Sequence, residues 1–214
     1  LSFRRPQLAR RRARHDLRAT PPPDHLPLRI VTPRCVVRPP RPADAPSLAH
    51  HADDHAVWRS LRDRFPHPYR LDDAERWIAA ARGHDGPPLD FVIDIDGAAV
   101  GGIALVPGTD IERVGAEVGY WLGRAHWGRG VTTAALRGIV RYAFDVLTLL
   151  RVHALPFAHN IASLRVLERA GFVHEGTLRC SAIKEGVILD QALWAALRDD
   201  WRSGGDIAIR ADDD

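Results

Sequence analysis

Residues 126–136 read HWGRGVTTAAL, so Trp127, Gly128, Arg129 and Gly130 run straight into a stretch patterned as a helix. Glycines let backbone N–H groups approach a ligand closely, and a helix start adds partial positive charge. Together they describe a phosphate cradle. A P-loop needs GxxxxGK followed by Ser or Thr, and no lysine follows any glycine here, which removes nucleotide hydrolysis of that type. A dinucleotide fingerprint needs a third glycine and a carboxylate closing the next strand. Thr133 stands at the glycine position, and the next strand ends in Pro156-Phe157-Ala158-His159.

Outward from the loop, 132–144 is amphipathic, with Leu136, Ile139, Val140, Ala143 and Phe144 on one face. Before it, AEVGYWL (116–122) reads as a strand, and FVIDIDGAAVGGIALV (91–106) as a hairpin turning at Asp96-Gly97. After it come a strand, RVHALPF (151–157), and a helix, 161–170, stopped by Gly171. A long hairpin turning at Glu185-Gly186 closes the pattern. Nearer the start, 34–38 reads as a first strand, Asp44 caps a helix, and 71–82 is a second helix with acidic residues in its first turn. The order β-α-α-β-β-β-α-β-α-β-β predicts one domain with a mixed α/β sheet.

With 214 residues and 45% hydrophobic content the chain can bury a real core, and it has no run of eighteen apolar residues to span a membrane. The absence of an apolar segment near residue 1 argues against secretion. Two cysteines, Cys35 and Cys180, are too few for a disulfide scaffold and read as packing residues in a reducing, cytoplasmic setting. Lys184 is the only lysine. The net charge of +3 is unevenly placed: residues 1–18 carry seven arginines against Asp16, so the body is mildly acidic. Such a tail could touch RNA or an acidic surface, or be a disordered extension; the second reading is preferred and nucleic acid is not the expected partner. The expected organisation is an Arg- and Pro-rich disordered extension at 1–27, a domain at 28–203 and an acidic tail at 204–214.

Segment 116–172 resembles the core of the GNAT acetyltransferase superfamily, and more narrowly its RimJ/RimL branch. The resemblance rests on the GYWL strand, the WGxG loop, the Asn160-x-x-Ser163 step and the Gly171-Phe172 turn, in that order. It extends to LRIVTPRCVVR (28–38), to 65–82 and to EGTLR (175–179). The fold it implies is a mostly antiparallel sheet of six to seven strands flanked by about four helices. It also implies acetyl-coenzyme A as cosubstrate, no metal, and a homodimer.

On that resemblance the pyrophosphate of acetyl-coenzyme A sits on Gly128, Arg129, Gly130, Val131, Thr132 and Thr133. Trp127 and Thr132 depart from the superfamily pattern, which begins with Gln or Arg and has Gly or Ala two residues after its main glycine; Trp127 is familiar in this branch. The pantetheine arm pairs with backbone around Trp121 and Leu122, and Asn160 holds it from the far side. Asn160 reads equally well as a helix cap. Glu117 matches a general-base carboxylate on the face it shares with Gly119 and Trp121, or else pairs with an arginine in the sheet. Leu167 occupies the position of the usual tyrosine acid, so Ser163 takes its place near the sulfur, unless it serves only in the first turn of the helix. A second carboxylate found in some relatives has no match in Cys180-Ser181-Ala182; Glu185 lies slightly further on.

Trp58, Phe65 and Tyr69 fall where relatives wall the acceptor site, though core packing accounts for them nearly as well. His50, His51, Asp53, Asp54 and His55 read as a solvated helix face rather than a metal site. The function expected is transfer of an acetyl group from acetyl-coenzyme A to a primary amine, of a small molecule or a protein N-terminus, by direct attack in a ternary complex. Glu117 and Ser163 are the expected catalytic pair. The alternative is a regulator that binds acyl-coenzyme A on the same fold with little catalysis.

Overall fold

The apolar stretches become nine strands and five α-helices in a computed structural model that describes residues 28–202 and 206–211. The Arg- and Pro-rich segment 1–27 lies outside the described residues. In chain order the elements are β1 (Leu28–Val31), β2 (Val36–Arg38), α1 (Ala45–Ala52), α2 (His55–Trp58), α3 (Leu71–Arg82), β3 (Asp90–Ile95) and β4 (Ala98–Pro107). Then follow β5 (Gly115–Leu122), α4 (Val131–Asp145), β6 (Arg151–Ala154), α5 (Ile161–Arg169), β7 (Val173–Lys184), β8 (Val187–Leu197) and β9 (Ala208–Ala211). They form one sheet in the order β7-β8-β6-β5-β4-β3-β2-β1-β9, antiparallel except between β5 and β6. That parallel pair follows from its connection, because α4 is the crossover between the two strands.

Strand alternation sends side chains to two cores. Phe91 and Ile93 meet α4 residues Leu136, Ile139 and Val140 on one face, while Val92 between them meets Leu48, Ala74 and Ile78 of α1 and α3 on the other. Tyr142 is the largest fully buried side chain; its ring lies edge-on to Phe91 at 5.4 Å and its hydroxyl donates to Pro88 O at 3.0 Å. Burial of each such side chain contributes about 1.5–3 kcal/mol.

The mostly antiparallel α/β architecture is the expected one, with more strands than anticipated. The stretch 28–38 gives two strands, and Cys35 sits in the turn between them, not on a strand. The domain also continues past residue 203: β9 pairs with β1 in the register Leu28↔Ala211 to Val31↔Ala208. The acidic composition of 204–214 masks the strand-forming run Ile207-Ala208-Ile209. The helix expected after Asp44 breaks into α1 and α2 because the Asp54 carboxylate accepts from Ala56 N at 2.7 Å and starts a new turn. Asp44 precedes α1 but makes no side-chain cap; Arg38 holds its two oxygens at 2.8 Å each. Arg38 also bonds Asp94 at 2.7 Å, which makes a buried three-residue ion cluster. The strand at 151–157 stops at Ala154, and Phe157 beyond Pro156 keeps a single bridge to Gln191. Cys35 is buried, and desolvation pushes its thiol up to about 11. Cys180, against the expectation of packing, is exposed at positive φ beside an irregularity in β7.

Candidate functional site

The site begins where two parallel strands part. β5 pairs with β4 along its whole length, from Pro107↔Ala116 to Gly101↔Leu122. It pairs with β6 only through Gly115, Ala116 and Glu117. Past Glu117, β5 runs on to Leu122 while β6 ends at Ala154. Gly123 N donates to Val100 O at 2.8 Å, so odd positions of β5 face β4 and the backbone groups of Val118 and Tyr120 face the gap. An extended polar arm can add to the strand there.

The gap leads to the glycine loop. A single turn at Arg124–His126 reverses the chain, and the Trp127 indole donates to Leu122 O at 2.7 Å, pinning the loop to the strand end. Gly128 and Gly130 have φ of +74° and +75°, the left-handed region that glycine adopts without a Cβ penalty. A Cβ on either would meet nothing within 4 Å, so open space lies beside both. The first bond of α4 is Ala134 N to Gly130 O at 3.1 Å, and no side chain caps the helix. The N–H groups of Val131, Thr132 and Thr133 therefore have no acceptor within the helix and carry the positive end of its dipole. Beside them a cleft of about 250 Å³ is lined by Gly130 and Thr133 together with Arg34, Arg137 and Arg169, cations that sequence reading did not single out.

Across the gap, Asn160 Oδ1 accepts from Ser163 N at 3.1 Å and caps α5, while the amide nitrogen of Asn160 has no hydrogen bond among the described residues. Ser163 Oγ lies 2.7 Å from Tyr120 Oη. Tyr120 sits in the β5 gap, and burial pushes its hydroxyl up to about 12, so it stays protonated. Sequence reading missed Tyr120. The usual tyrosine position, four residues before the Gly-Phe turn, holds Leu167, and this tyrosine comes from the GYWL strand instead.

Glu117 faces the opposite side of β5, with Gly119 and Trp121, and forms an ion pair with Arg62 from the loop after α2. The structure thus separates Glu117 from Ser163, one on each side of the gap. His153 stands beside Glu117 in the parallel register. Burial holds its imidazole below the ordinary 6.5 against the opposing pull of Glu117, and it too was missed. Trp121 packs over Gly102, where a Cβ would come within 2.7 Å of the indole nitrogen, and meets Phe65 edge-on at 5.5 Å.

The three expected acceptor-wall aromatics divide. Phe65 links Trp121 to Tyr69, and Tyr69 is a buried core residue. Trp58 lies under the Lys184 ammonium, 3.6 Å from the ring centroid, and stacks on His67 at 5.3 Å. None of the three lines the cleft of about 310 Å³ on this side of the sheet, whose walls include Arg62, Asp63, Phe157, Ser181, Lys184 and Gln191. Lys184 is buried and donates to Asp63 at 2.8 Å, tying the β7–β8 hairpin to the loop after α2.

The residues read as a solvated histidine-aspartate face are mostly engaged. Asp54 caps α2, Asp53 accepts from Tyr69 N at 2.9 Å, and His51 packs between His50 and His126. Among the described residues no group of three or more His, Cys, Asp or Glu is placed to hold a metal, and no helix is long and apolar enough to cross a membrane.

The chain is similar to known proteins. Residues 34–173 match the family model described as Acetyltransferase (GNAT) domain. "Probable N-acetyltransferase YjcK" of Bacillus subtilis is 44% identical over 85 residues, 40% of this chain and 47% of that protein. "Spermidine N(1)-acetyltransferase" of Escherichia coli K12 is 26% identical over 140 residues, covering 64% of this chain and 74% of that one. The chain spans about half the length of the first curated relatives it matches. Among solved structures, "Mycobacterium smegmatis RimJ in complex with CoA-disulfide" superposes with a TM-score of 0.69 at 26% identity, over 81% of this chain and 86% of that one.

Proposed function

Because the chain belongs to the GNAT acetyltransferase family, we propose that it transfers an acetyl group from acetyl-coenzyme A to a primary amine, by direct attack in a ternary complex. The observation that carries this reading is the parting of β5 and β6 beside an uncapped helix start with two left-handed glycines. The open space beside Gly128 and Gly130 and the unpaired N–H groups suit a pyrophosphate. Acetyl-coenzyme A supplies the acetyl group as a thioester.

The N–H groups of Val131, Thr132 and Thr133 bind the pyrophosphate, and the Arg129 guanidinium adds a charge-assisted contact. Backbone groups of Val118 and Tyr120 orient the arm in the gap; the Leu122 carbonyl is already taken by Trp127, whose part is to fix the loop. The Asn160 amide reaches the arm from α5. Glu117 accepts one ammonium proton on one side of β5, which frees the nitrogen lone pair. The nitrogen then bonds to the acetyl carbon and the carbon–sulfur bond breaks. On the other side Ser163, backed by Tyr120, donates to the departing sulfur, and the second nitrogen proton replaces the one that this hydroxyl pair gives up. The acceptor is a small-molecule amine or a protein N-terminus. Two free thiols support a reducing, cytoplasmic setting.

The second reading, an acyl-coenzyme A-binding regulator, draws on one observation: Arg62 occupies Glu117. Thiol release from acetyl-coenzyme A with a panel of amines separates the two. Amine-dependent release supports the enzyme; tight cofactor binding with no release from any amine supports the regulator.

A further inference from the structure

Three acidic groups that face the acceptor side are already matched by cations. Glu117 is paired with Arg62, Asp63 with Lys184, and Glu175 with Arg151 through two bonds, while Glu185 faces His55 at 3.4 Å. A polyamine entering the cleft of about 310 Å³ would bring positive charge to walls that already hold Arg62 and Lys184, and the one carboxylate in that lining, Asp63, is already held by Lys184. Lys184 cannot easily turn away, because its ammonium is buried between Asp63 and the Trp58 ring. Arg62 can. Its side chain is half exposed, it sits on a loop, and it lines the cleft while reaching Glu117.

We infer that the acceptor is an amine carrying a carboxylate within a few bonds of its nitrogen, an amino-acid-type zwitterion. Such a molecule exchanges one ion pair for two. Its ammonium takes the place of Arg62 on Glu117, and its carboxylate takes the guanidinium that Glu117 gives up. The guanidinium presents parallel N–H donors that match a carboxylate, and it starts next to the point where the ammonium must sit. The same exchange frees Glu117 to accept the amine proton, so Arg62 masks the base until an acceptor of the right charge pattern arrives. Without a carboxylate, an amine must break the Arg62–Glu117 pair and leave the guanidinium unmatched. The partial apolar wall from Phe157, with the polar ends of Ser181 and Gln191, leaves room for a small side chain.

This inference rests on the acetyl-transfer reading and is tested against it with matched acceptors. Thiol release is measured with an L-amino acid, the corresponding amino-acid amide, a dipeptide amide and spermidine, using the native chain, Arg62→Ala and Arg62→Lys. Acetyl-coenzyme A affinity is measured by calorimetry for each protein. The native chain is expected to prefer the free amino acid over its amide by about tenfold to a hundredfold in kcat/KM, the worth of one hydrogen-bonded charge contact. Arg62→Ala abolishes that preference with acetyl-coenzyme A affinity kept, and Arg62→Lys restores part of it. Equal use of acid and amide by the native chain, a preference for spermidine or the dipeptide amide, or a preference that survives in Arg62→Ala overturns the inference while leaving acetyl transfer intact. Cofactor binding without transfer to any amine overturns both.

Discussion

Tyr120 Oη and Ser163 Oγ stand 2.7 Å apart, joining β5 to the first turn of α5 across the gap. A lone serine is a poor acid for a departing sulfur. Bonded to a buried tyrosine it becomes part of a two-hydroxyl chain, with Asn160 fixing the Ser163 backbone. Ser163→Ala is expected to lower kcat by about tenfold to a hundredfold with acetyl-coenzyme A affinity unchanged. Tyr120→Phe, which keeps the ring, is expected to lower kcat by a smaller factor. Because the two act as one unit, the double variant falls little below Ser163→Ala alone. Steady-state kinetics on the four proteins checks this; multiplicative losses would separate the two hydroxyls.

The buried cluster of Arg38, Asp44 and Asp94 makes a stability prediction. Burial by itself would raise the Asp44 carboxyl, but Arg38 and the Arg41 backbone outweigh it and hold it below the ordinary 3.8. Asp44→Ala leaves the guanidinium half-matched in the core and is expected to cost about 3–5 kcal/mol in urea unfolding. The cluster joins β2 to β3 and the start of α1, away from the glycine loop, so affinity for acetyl-coenzyme A at low urea should hold.

Histidine burial sets a pH dependence. Desolvation holds His51 and His153 below the ordinary 6.5 in the folded chain. The unfolded chain therefore takes up protons first as pH falls through 6.5, so folding loses stability on the acid side and neither group contributes a slope above it. The urea midpoint is expected to fall between about pH 7 and about pH 5.5, and the combined His51→Gln, His153→Gln variant to show a flatter profile over that range. A native midpoint independent of pH there would contradict the partial burial of both rings.

Much of this was legible because it is local. The loop 126–136 carries its own conformational demand in two glycines, and α4 carries its own apolar stripe. The strand 116–122 could be placed next to them by alternation alone. The parts that sequence reading missed depend on contacts between distant segments. Tyr120 meets Ser163 across 43 residues and Lys184 meets Asp63 across 121; an arginine on Glu117 was one of two open readings, but Arg62 comes from a loop 55 residues away and not from the sheet. No spacing rule reports such pairs. β9 was lost for a different reason: flanking aspartates outweighed a short apolar run that becomes a strand only when β1 is beside it. Of the two readings left open for Asn160 the helix cap is observed, and the amide nitrogen has no hydrogen bond among the described residues.

Calorimetric titration with acetyl-coenzyme A tests most directly whether the glycine loop is a pyrophosphate cradle. The native chain is compared with Gly130→Asp, and urea unfolding confirms that both are folded. A carboxylate at residue 130 sets negative charge before the N–H groups of Val131, Thr132 and Thr133, where a phosphate would lie. Binding by the native chain that weakens by at least about tenfold in the folded variant is the predicted result. Equal affinity in the two folded proteins would contradict it, and the cofactor would then have to be held elsewhere on the chain.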